Sequence, residues 1–134
     1  MSEGTIDHPW ELATPSGRGS YLAWTEPEAS PPVLVVQVGK TVLHYQLSCL
    51  DDLHRMLVAH GDWMELGSKD EGKATKPDTV EAWGRDPSNP VGGWYGLKKG
   101  LRGRFANYVP PVLAAQGRIV FEKRGRSMWA RATS

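Results

Sequence analysis

The sequence predicts an α+β fold, with an N-terminal antiparallel β-meander, a central helix and a C-terminal helix–helix–β-hairpin unit. Three patterns indicate this class. A β-branched run (33–38) and a second strand-like run (41–47) flank a Gly-Lys pair that suits a hairpin turn. Apolar residues at helical spacing follow over residues 49–60. Two short strand-like runs joined by a basic turn occupy residues 118–131.

Length and composition indicate a single domain. The chain has 134 residues, which is enough to bury a core without metals or disulfides. Residues 1–20 are rich in proline and glycine, so we expect an irregular N-terminal arm there, attached to the domain by a buried Trp10 indole. The remaining residues, 21–134, are predicted to form one α+β domain.

The meander and the central helix each have local signals. Residues 21–25 (YLAWT) alternate enough for a first strand, and Gly39 supplies the positive φ that a type II′ turn needs. Ser48 and Asp51 have the spacing of a capping box, and Gly61 suits a left-handed helix end. The sequence therefore predicts a helix from residue 49 to residue 60.

The C-terminal half is less regular. The polar stretch 67–78 (GSKDEGKATKPD) is predicted to be a mobile loop, and Asp78 caps a helical turn over residues 79–83. Apolar residues recur every three or four positions over residues 94–108, which predicts a helix there, although its three glycines each cost about 1 kcal/mol. A short second helix is expected over residues 112–116.

Charge is unevenly distributed along the chain. Residues 1–93 contain 7 Lys/Arg and 14 Asp/Glu, a net charge of −7, whereas residues 94–134 contain 9 Lys/Arg and one Glu, a net charge of +8. A basic segment of this length is typical of a surface that binds polyanions. The alternative is that the basic half packs against the acidic half of the same molecule.

The C-terminal helix, turn, helix and basic-tipped hairpin resemble the end of a winged helix domain. The resemblance implies that one helix lies in the DNA major groove while the hairpin contacts phosphate. It covers about fifty residues by pattern alone, and the helix is glycine-rich where a recognition helix normally offers side chains to base edges. The residues predicted to bind nucleic acid are Lys98, Lys99, Arg102, Arg104, Lys123, Arg124 and Arg126.

Other functions stay open. The glycines of residues 92–103 either let backbone N–H groups approach an anion, with the neighbouring cations supplying charge, or allow another element to pack closely. A small ligand or substrate is an alternative partner, with a pocket lined by Trp83, Trp94 and Tyr95. A protein-interaction or dimerisation module that uses the same basic face is the third possibility.

Catalytic and metal chemistry have weak signals. Cys49 follows Ser48 at a helix start, where a buried inert thiol is commoner than a nucleophile, and the four histidines have no HxxxH spacing. We expect no catalytic residue, no cofactor and no metal. One cysteine, no signal-peptide pattern and no long apolar run together predict a cytoplasmic protein without membrane contact.

Two stretches carry a resemblance over most of the chain. LDDLHRMLVAHGDWMELGSKDE (50–71) and TVEAWGRDPSNPVGGWYGLKKGLRGRFANYVPP (79–111) resemble a family of small bacterial single-domain proteins of unknown function. The resemblance implies a single domain and brings no activity, ligand or catalytic residue with it.

Overall fold

The computed structural model describes residues 3–133, so residues 1, 2 and 134, at the ends of the expected arm and domain, lie outside the described residues. It confirms the α+β class. The elements are β1 (Trp10–Ala13), β2 (Ser20–Glu26), β3 (Val33–Val38), β4 (Thr41–Gln46), α1 (Cys49–His60), β5 (Met64–Glu65), α2 (Val80–Trp83), α3 (Phe105–Tyr108), α4 (Pro110–Ala115), β6 (Ile119–Arg124) and β7 (Ser127–Ala132).

The strands form two sheets. The first sheet is antiparallel with strand order β1-β2-β3-β4, and the second has the order β5-β7-β6. Helix α4 contacts both β1 and β6, and α1 contacts β7, so these two helices connect the sheets through one core. Among residues 3–133, no helix combines the length and the apolar character needed to cross a membrane.

The central hairpin is as predicted. β3 pairs with β4 from Val33–Gln46 to Val38–Thr41, and Gly39 has a φ of 60° in the connecting turn. Alternation places Leu34 and Val36 in the main core, because their side chains point to the face that the helices cover. The edge of β4 is extended by residues 95–97, through hydrogen bonds of 2.9 Å between Gln46 N–H and Tyr95 C=O and between Leu97 N–H and His44 C=O.

Residues 10–13 correct the expectation of an irregular arm over residues 1–20. They form β1, which pairs with β2 from Trp10–Ala23 to Ala13–Ser20. The reason is that the sequence WELA alternates, so Trp10 and Leu12 pack against the core while Glu11 and Ala13 stay exposed. Residues 3–9 remain irregular, and the C=O of Gly4 accepts a 2.8 Å hydrogen bond from the N–H of Thr25.

The central helix is confirmed from residue 49 to residue 60, and Gly61 ends it with a φ of 71°. The predicted capping box is wrong. Ser48 has helical backbone angles and its side chain makes no capping hydrogen bond. At the next helix, Thr79 rather than Asp78 is the N-cap, since the Thr79 hydroxyl accepts a hydrogen bond from Ala82 N–H while Asp78 has a φ of 61°.

The predicted helix over residues 94–108 is wrong for most of its length. Only Phe105–Tyr108 is helical, followed directly by α4. Gly100 and Gly103 have φ values of 87° and 61°, which a right-handed helix does not accommodate. The apolar spacing is met instead by an irregular chain that packs Leu101, Phe105 and Tyr108 into or against the core and leaves Leu97 exposed. The described residues therefore lack the long helix that the winged helix pattern places over residues 94–108, although the hairpin of residues 118–131 is present.

Gly103 provides a test of this irregular packing. A Cβ added there lies 2.6 Å from Leu43 Cδ1 and 3.2 Å from Tyr45 Oη. We expect Gly103→Ala to lower the free energy of unfolding by about 2–4 kcal/mol, through overpacking and positive-φ strain together. Gly117→Ala is the matched control, because Gly117 has a φ of 74° and nothing within 4 Å of its added Cβ. It should cost only about 1 kcal/mol in urea unfolding. Equal losses in both variants would contradict the close approach.

Candidate functional site

An open cleft of about 1140 Å³ lies between four separate parts of the chain. Its walls are the β1–β2 turn, residues 65–69 together with Lys76, the beginning of α3 and the β6–β7 turn. The lining includes six basic residues and one acidic residue, Glu65. The six basic residues are Arg18, Lys69, Lys76, Arg104, Lys123 and Arg126. We call this feature the basic cleft.

Two of these six cations are paired inside the molecule. Lys76 Nζ lies 2.8 Å from Glu65 Oε1, and Arg104 Nε lies 2.7 Å from Asp70 Oδ1. Within residues 3–133, the other four form no ion pair, and all four are exposed: Arg18, Lys69, Lys123 and Arg126. The basic cleft therefore concentrates positive charge that the described part of the chain does not neutralise.

Three residues of the basic cleft are predicted from the sequence and three are not. Arg104, Lys123 and Arg126 belong to the predicted nucleic-acid-binding set. The other three come from the acidic half of the chain: Arg18, Lys69 and Lys76. The net charge of residues 1–93 does not reveal these three cations, because the residues next to each of them in sequence are acidic or neutral. A three-dimensional pairing of β1 with β2 is needed to bring Arg18 to this site.

Lys98, Lys99 and Arg102 lie outside the basic cleft, on the irregular segment that precedes α3. Lys98 and Lys99 are exposed. Arg102 is mostly buried: its guanidinium carbon lies 4.9 Å from the centre of the Trp94 ring, and its Nε–H donates to the C=O of Gly96. Its charge is thus held against the protein, whereas the two lysines project from it.

Arg124 lies on the outward face of the second sheet. It pairs with Glu122 and its guanidinium lies over the rings of Trp129 and Trp63, at 4.8 and 5.6 Å. The seven residues predicted to bind nucleic acid therefore occupy three separate places in the molecule. The predicted helix would have placed four of them on one exposed stripe: Lys98, Lys99, Arg102 and Arg104. Because residues 94–104 are not helical, only Arg104 of these four lines the basic cleft.

The predicted ligand pocket at Trp83, Trp94 and Tyr95 is filled by the protein itself. The fully buried ring of Tyr95 is stacked between Trp83 and Phe105, each 5.4 Å away. Burial raises the pKa of Tyr95, and so does its 2.9 Å hydrogen bond to the Asp52 carboxylate. Trp94 lies between two guanidinium groups, 4.3 Å from that of Arg85 and 4.9 Å from that of Arg102. These rings support the fold at this position.

A buried ion pair fixes the wall that carries Lys69. Glu81 is fully buried. Its carboxylate accepts hydrogen bonds from Arg85 at 3.0 Å, from Ala106 N–H at 3.1 Å and from Lys69 N–H at 3.4 Å. Burial raises the pKa of the Glu81 carboxyl, and the donors of Ala106 and Arg85 act against that rise. The carboxylate thereby joins α2, α3 and the 67–78 loop.

Arg85 holds the 67–78 loop from the other side of the ion pair. Its guanidinium donates to four backbone carbonyls of that loop, at distances of 2.9–3.4 Å: those of Lys69, Asp70, Glu71 and Lys73. Composition predicts a mobile loop here, whereas the contacts attach its first half to the core.

Glu71 closes a further contact between the loop and residues 100–102. Its two carboxylate oxygens accept 2.9 Å hydrogen bonds from the N–H groups of Gly100 and Arg102, and the Arg102 guanidinium lies 3.9 Å away. Burial tends to raise the pKa of Glu71, but the two N–H donors and the nearby arginines outweigh it and lower the pKa below 4.5. Residues 100–102 thus cradle an anion, which is a carboxylate of the same chain.

The acidic and basic halves neutralise each other only in part. Three ion pairs among the described residues join them: Arg102–Glu71, Arg104–Asp70 and Arg118–Asp51. Five cations of the basic half form no ion pair within residues 3–133: Lys98, Lys99, Lys123, Arg126 and Arg131. Packing against the acidic half therefore accounts for only some of the charges of the basic half.

The thiol and the histidines do not assemble a reactive centre in the described part of the chain. Cys49 is fully buried, and burial raises the pKa of its thiol, with Asp52 and Asp51 adding to the rise. Such a thiol stays protonated and is a poor nucleophile. Among residues 3–133, no three His, Cys, Asp or Glu side chains come together in a way that holds a metal ion.

The sequence comparison defines the family. Residues 2–133 match a family described as a family of unknown function (DUF6855), and the chain belongs to that family. No curated protein and no solved structure matches the chain. The geometry of the molecule is therefore the basis for any functional proposal.

The buried ion pair leads to a stability prediction. Arg85→Leu should lower the free energy of unfolding by about 3–5 kcal/mol, because it leaves the buried Glu81 carboxylate without its counter-charge. Arg118→Leu is the matched control, since Arg118 pairs with the exposed Asp51 at 2.9 Å and should cost less than about 1 kcal/mol. Urea unfolding of both variants measures the difference. Similar small losses would show that the Glu81–Arg85 pair is not essential to the fold.

The Glu71 contact leads to a pH prediction. Because the pKa of Glu71 is lowered in the folded protein, its contact stabilises the fold above pH 4.5 and is lost as the pH falls through the lower, folded value. The amide protons of Gly100 and Arg102 should therefore shift with a common midpoint below pH 4.5 in an NMR titration. A midpoint above 4.5, or no titration of these amides, would contradict the contact.

Proposed function

We propose that the protein binds nucleic acid by holding the phosphate backbone in the basic cleft. The observation that carries the proposal is the convergence of six cationic side chains from four separate chain segments on one open cleft with a single acidic residue. Four of the cations lack an ion-pair partner within residues 3–133. The cleft combines Arg18, Lys69 and Lys76 with three of the residues predicted from the sequence.

Electrostatics supports a polyanionic ligand. Bringing like charges together destabilises the folded molecule unless a counter-charge is supplied, and a chain of phosphates supplies several at once. Each phosphate that is neutralised also releases condensed counterions, which drives binding at low salt. The flexible lysines of the cleft suit a backbone whose exact position varies, because an ammonium group binds phosphate without a fixed geometry.

The form of the described residues favours backbone contact over base readout. Helices α3 and α4 have 4 and 6 residues, too short to lie along a major groove in the manner of a recognition helix. Contacts to phosphate position a nucleic acid but carry no sequence information. We therefore propose weak sequence preference, with affinity set by salt concentration.

The first test is fluorescence anisotropy of labelled single-stranded and duplex DNA at two salt concentrations. Lys123→Ala combined with Arg126→Ala should weaken binding about tenfold at low salt and reduce the salt slope by about two, since two phosphate contacts are lost. Lys40→Ala combined with Arg131→Ala is the control, because it removes the same charge from exposed positions outside the cleft. It should change affinity much less.

Two outcomes would count against the proposal. Equal losses in the two double variants would mean that overall charge, not the cleft, attracts the nucleic acid. No binding by the wild-type protein at low salt would remove nucleic acid as the ligand. Sedimentation of the pure protein then separates the remaining alternatives, because a self-associating module would run as a dimer whose assembly depends on Lys123 and Arg126.

A further inference from the structure

We infer that residues 100–102 form a second anion-binding site, occupied in this structure by the carboxylate of Glu71, and that a phosphate group displaces this carboxylate. The existence of the site does not depend on the proposed function. Only the source of the phosphate, a nucleic-acid strand that also lies in the basic cleft, rests on it.

The geometry of the site is that of a backbone anion cradle. The N–H groups of Gly100 and Arg102 point at the two oxygens of one carboxylate, each at 2.9 Å. Gly100 has a φ of 87°, a conformation that glycine adopts without strain, and the N–H groups of Gly100 and Arg102 face the same carboxylate while Leu101 N–H donates to Lys98 C=O. Glu71 therefore occupies a site whose donors are fixed by the backbone.

A carboxylate uses only part of what the site offers. The Arg102 guanidinium remains 3.9 Å from Glu71, beyond ordinary hydrogen-bond distance. Lys98 and Lys99 precede the cradle by two residues and one residue, are exposed, and form no ion pair within the described part of the chain. A phosphate group has more acceptor oxygens than a carboxylate, so it can engage the two N–H groups and one of these cations together.

The site is linked to the basic cleft through Arg104. Arg104 lines the cleft and pairs with Asp70 at 2.7 Å, and Asp70 is the neighbour of Glu71 in the chain. Two adjacent carboxylates thus hold the two arginines, Arg102 and Arg104, that lie between the cleft and the lysine pair. In this proposal, a nucleic-acid strand that leaves the cleft at Arg104 reaches the cradle first and then Lys98 and Lys99.

Displacement does not require the loop to unfold. Arg85 holds the loop through the C=O groups of Lys69, Asp70, Glu71 and Lys73, and none of these hydrogen bonds involves the Glu71 side chain. The Glu71 side chain retains 21% of its exposure, so solvent already reaches it. Rotation about its own side-chain bonds is therefore enough to vacate the cradle while the backbone stays in place.

The direct test is an NMR titration of the ¹⁵N-labelled protein with inorganic phosphate. Glu71→Gln should let phosphate shift the amides of Gly100 and Arg102 at concentrations that leave the wild-type amides unchanged. Glu28→Gln is the control, because it removes one carboxylate of the exposed 27–32 turn and leaves the cradle occupied. An unchanged amide pattern outside residues 70–72 and 100–104 verifies that the variant is folded. Equal responses in all three proteins, or none in Glu71→Gln, would overturn the site.

The second test links the site to nucleic acid. Fluorescein-labelled single-stranded DNA should bind Glu71→Gln about fivefold more tightly than it binds wild type or Glu28→Gln, because the internal competitor is weakened. Adding Lys98→Ala and Lys99→Ala to Glu71→Gln should remove that gain. Binding equal to that of Glu28→Gln would overturn displacement by nucleic acid. A positive phosphate titration with no DNA binding in any variant would refute the proposed function and leave free phosphate as the ligand of the cradle.

Discussion

The region around the basic cleft depends on the buried ion pair between Glu81 and Arg85. A carboxylate that is removed from water needs hydrogen-bond donors. Glu81 finds them in three parts of the chain: Arg85 just after α2, Lys69 in the loop before α2, and Ala106 in α3. Arg85 in turn holds four loop carbonyls. One pair of side chains therefore positions a loop that has almost no apolar residues of its own to bury.

This constraint also determines which charges are held and which are free. The loop is brought close enough for Asp70 and Glu71 to contact Arg104 and Arg102, so those two arginines are neutralised within the molecule. Lys69 projects from the same loop into the basic cleft, opposite the hairpin tip. The loop thus places two carboxylates beside Arg102 and Arg104 and adds the cation of Lys69 to the basic cleft.

Local sequence patterns predict the elements whose structure is decided locally. The β3–β4 hairpin, helix α1 and the β6–β7 hairpin follow alternation, helical spacing and turn residues, and all three are found. Residues 94–104 fail the same reasoning, because apolar spacing does not distinguish a helix from an irregular chain whose glycines adopt positive φ. There the structure is decided by Glu71, Leu43 and Tyr45, which are distant in sequence.

The candidate site is predictable only in part for the same reason. A run of net charge identifies Arg104, Lys123 and Arg126, since they belong to a basic segment. It does not identify Arg18 and Lys69, whose neighbours in sequence include acidic and neutral residues and whose neighbours in space are cations. Nor does composition show that Glu71 fills the anion cradle. Glu71 belongs to a polar loop that composition predicts to be mobile, and its partners Gly100 and Arg102 lie about thirty positions further along the chain.

The three buried tyrosine hydroxyls have a consequence for how the chain folds during synthesis. Tyr21 donates to the C=O of Tyr108 and Tyr45 to the C=O of Arg102, while Asp52 receives its hydrogen bond from Tyr95. In each contact one partner belongs to the first half of the chain and the other to the last third. The meander leaves the ribosome before residues 95–108, which complete these polar contacts, so its inner face is at first uncovered. The early sheet is therefore exposed to misassociation until residues 95–108 have been synthesised.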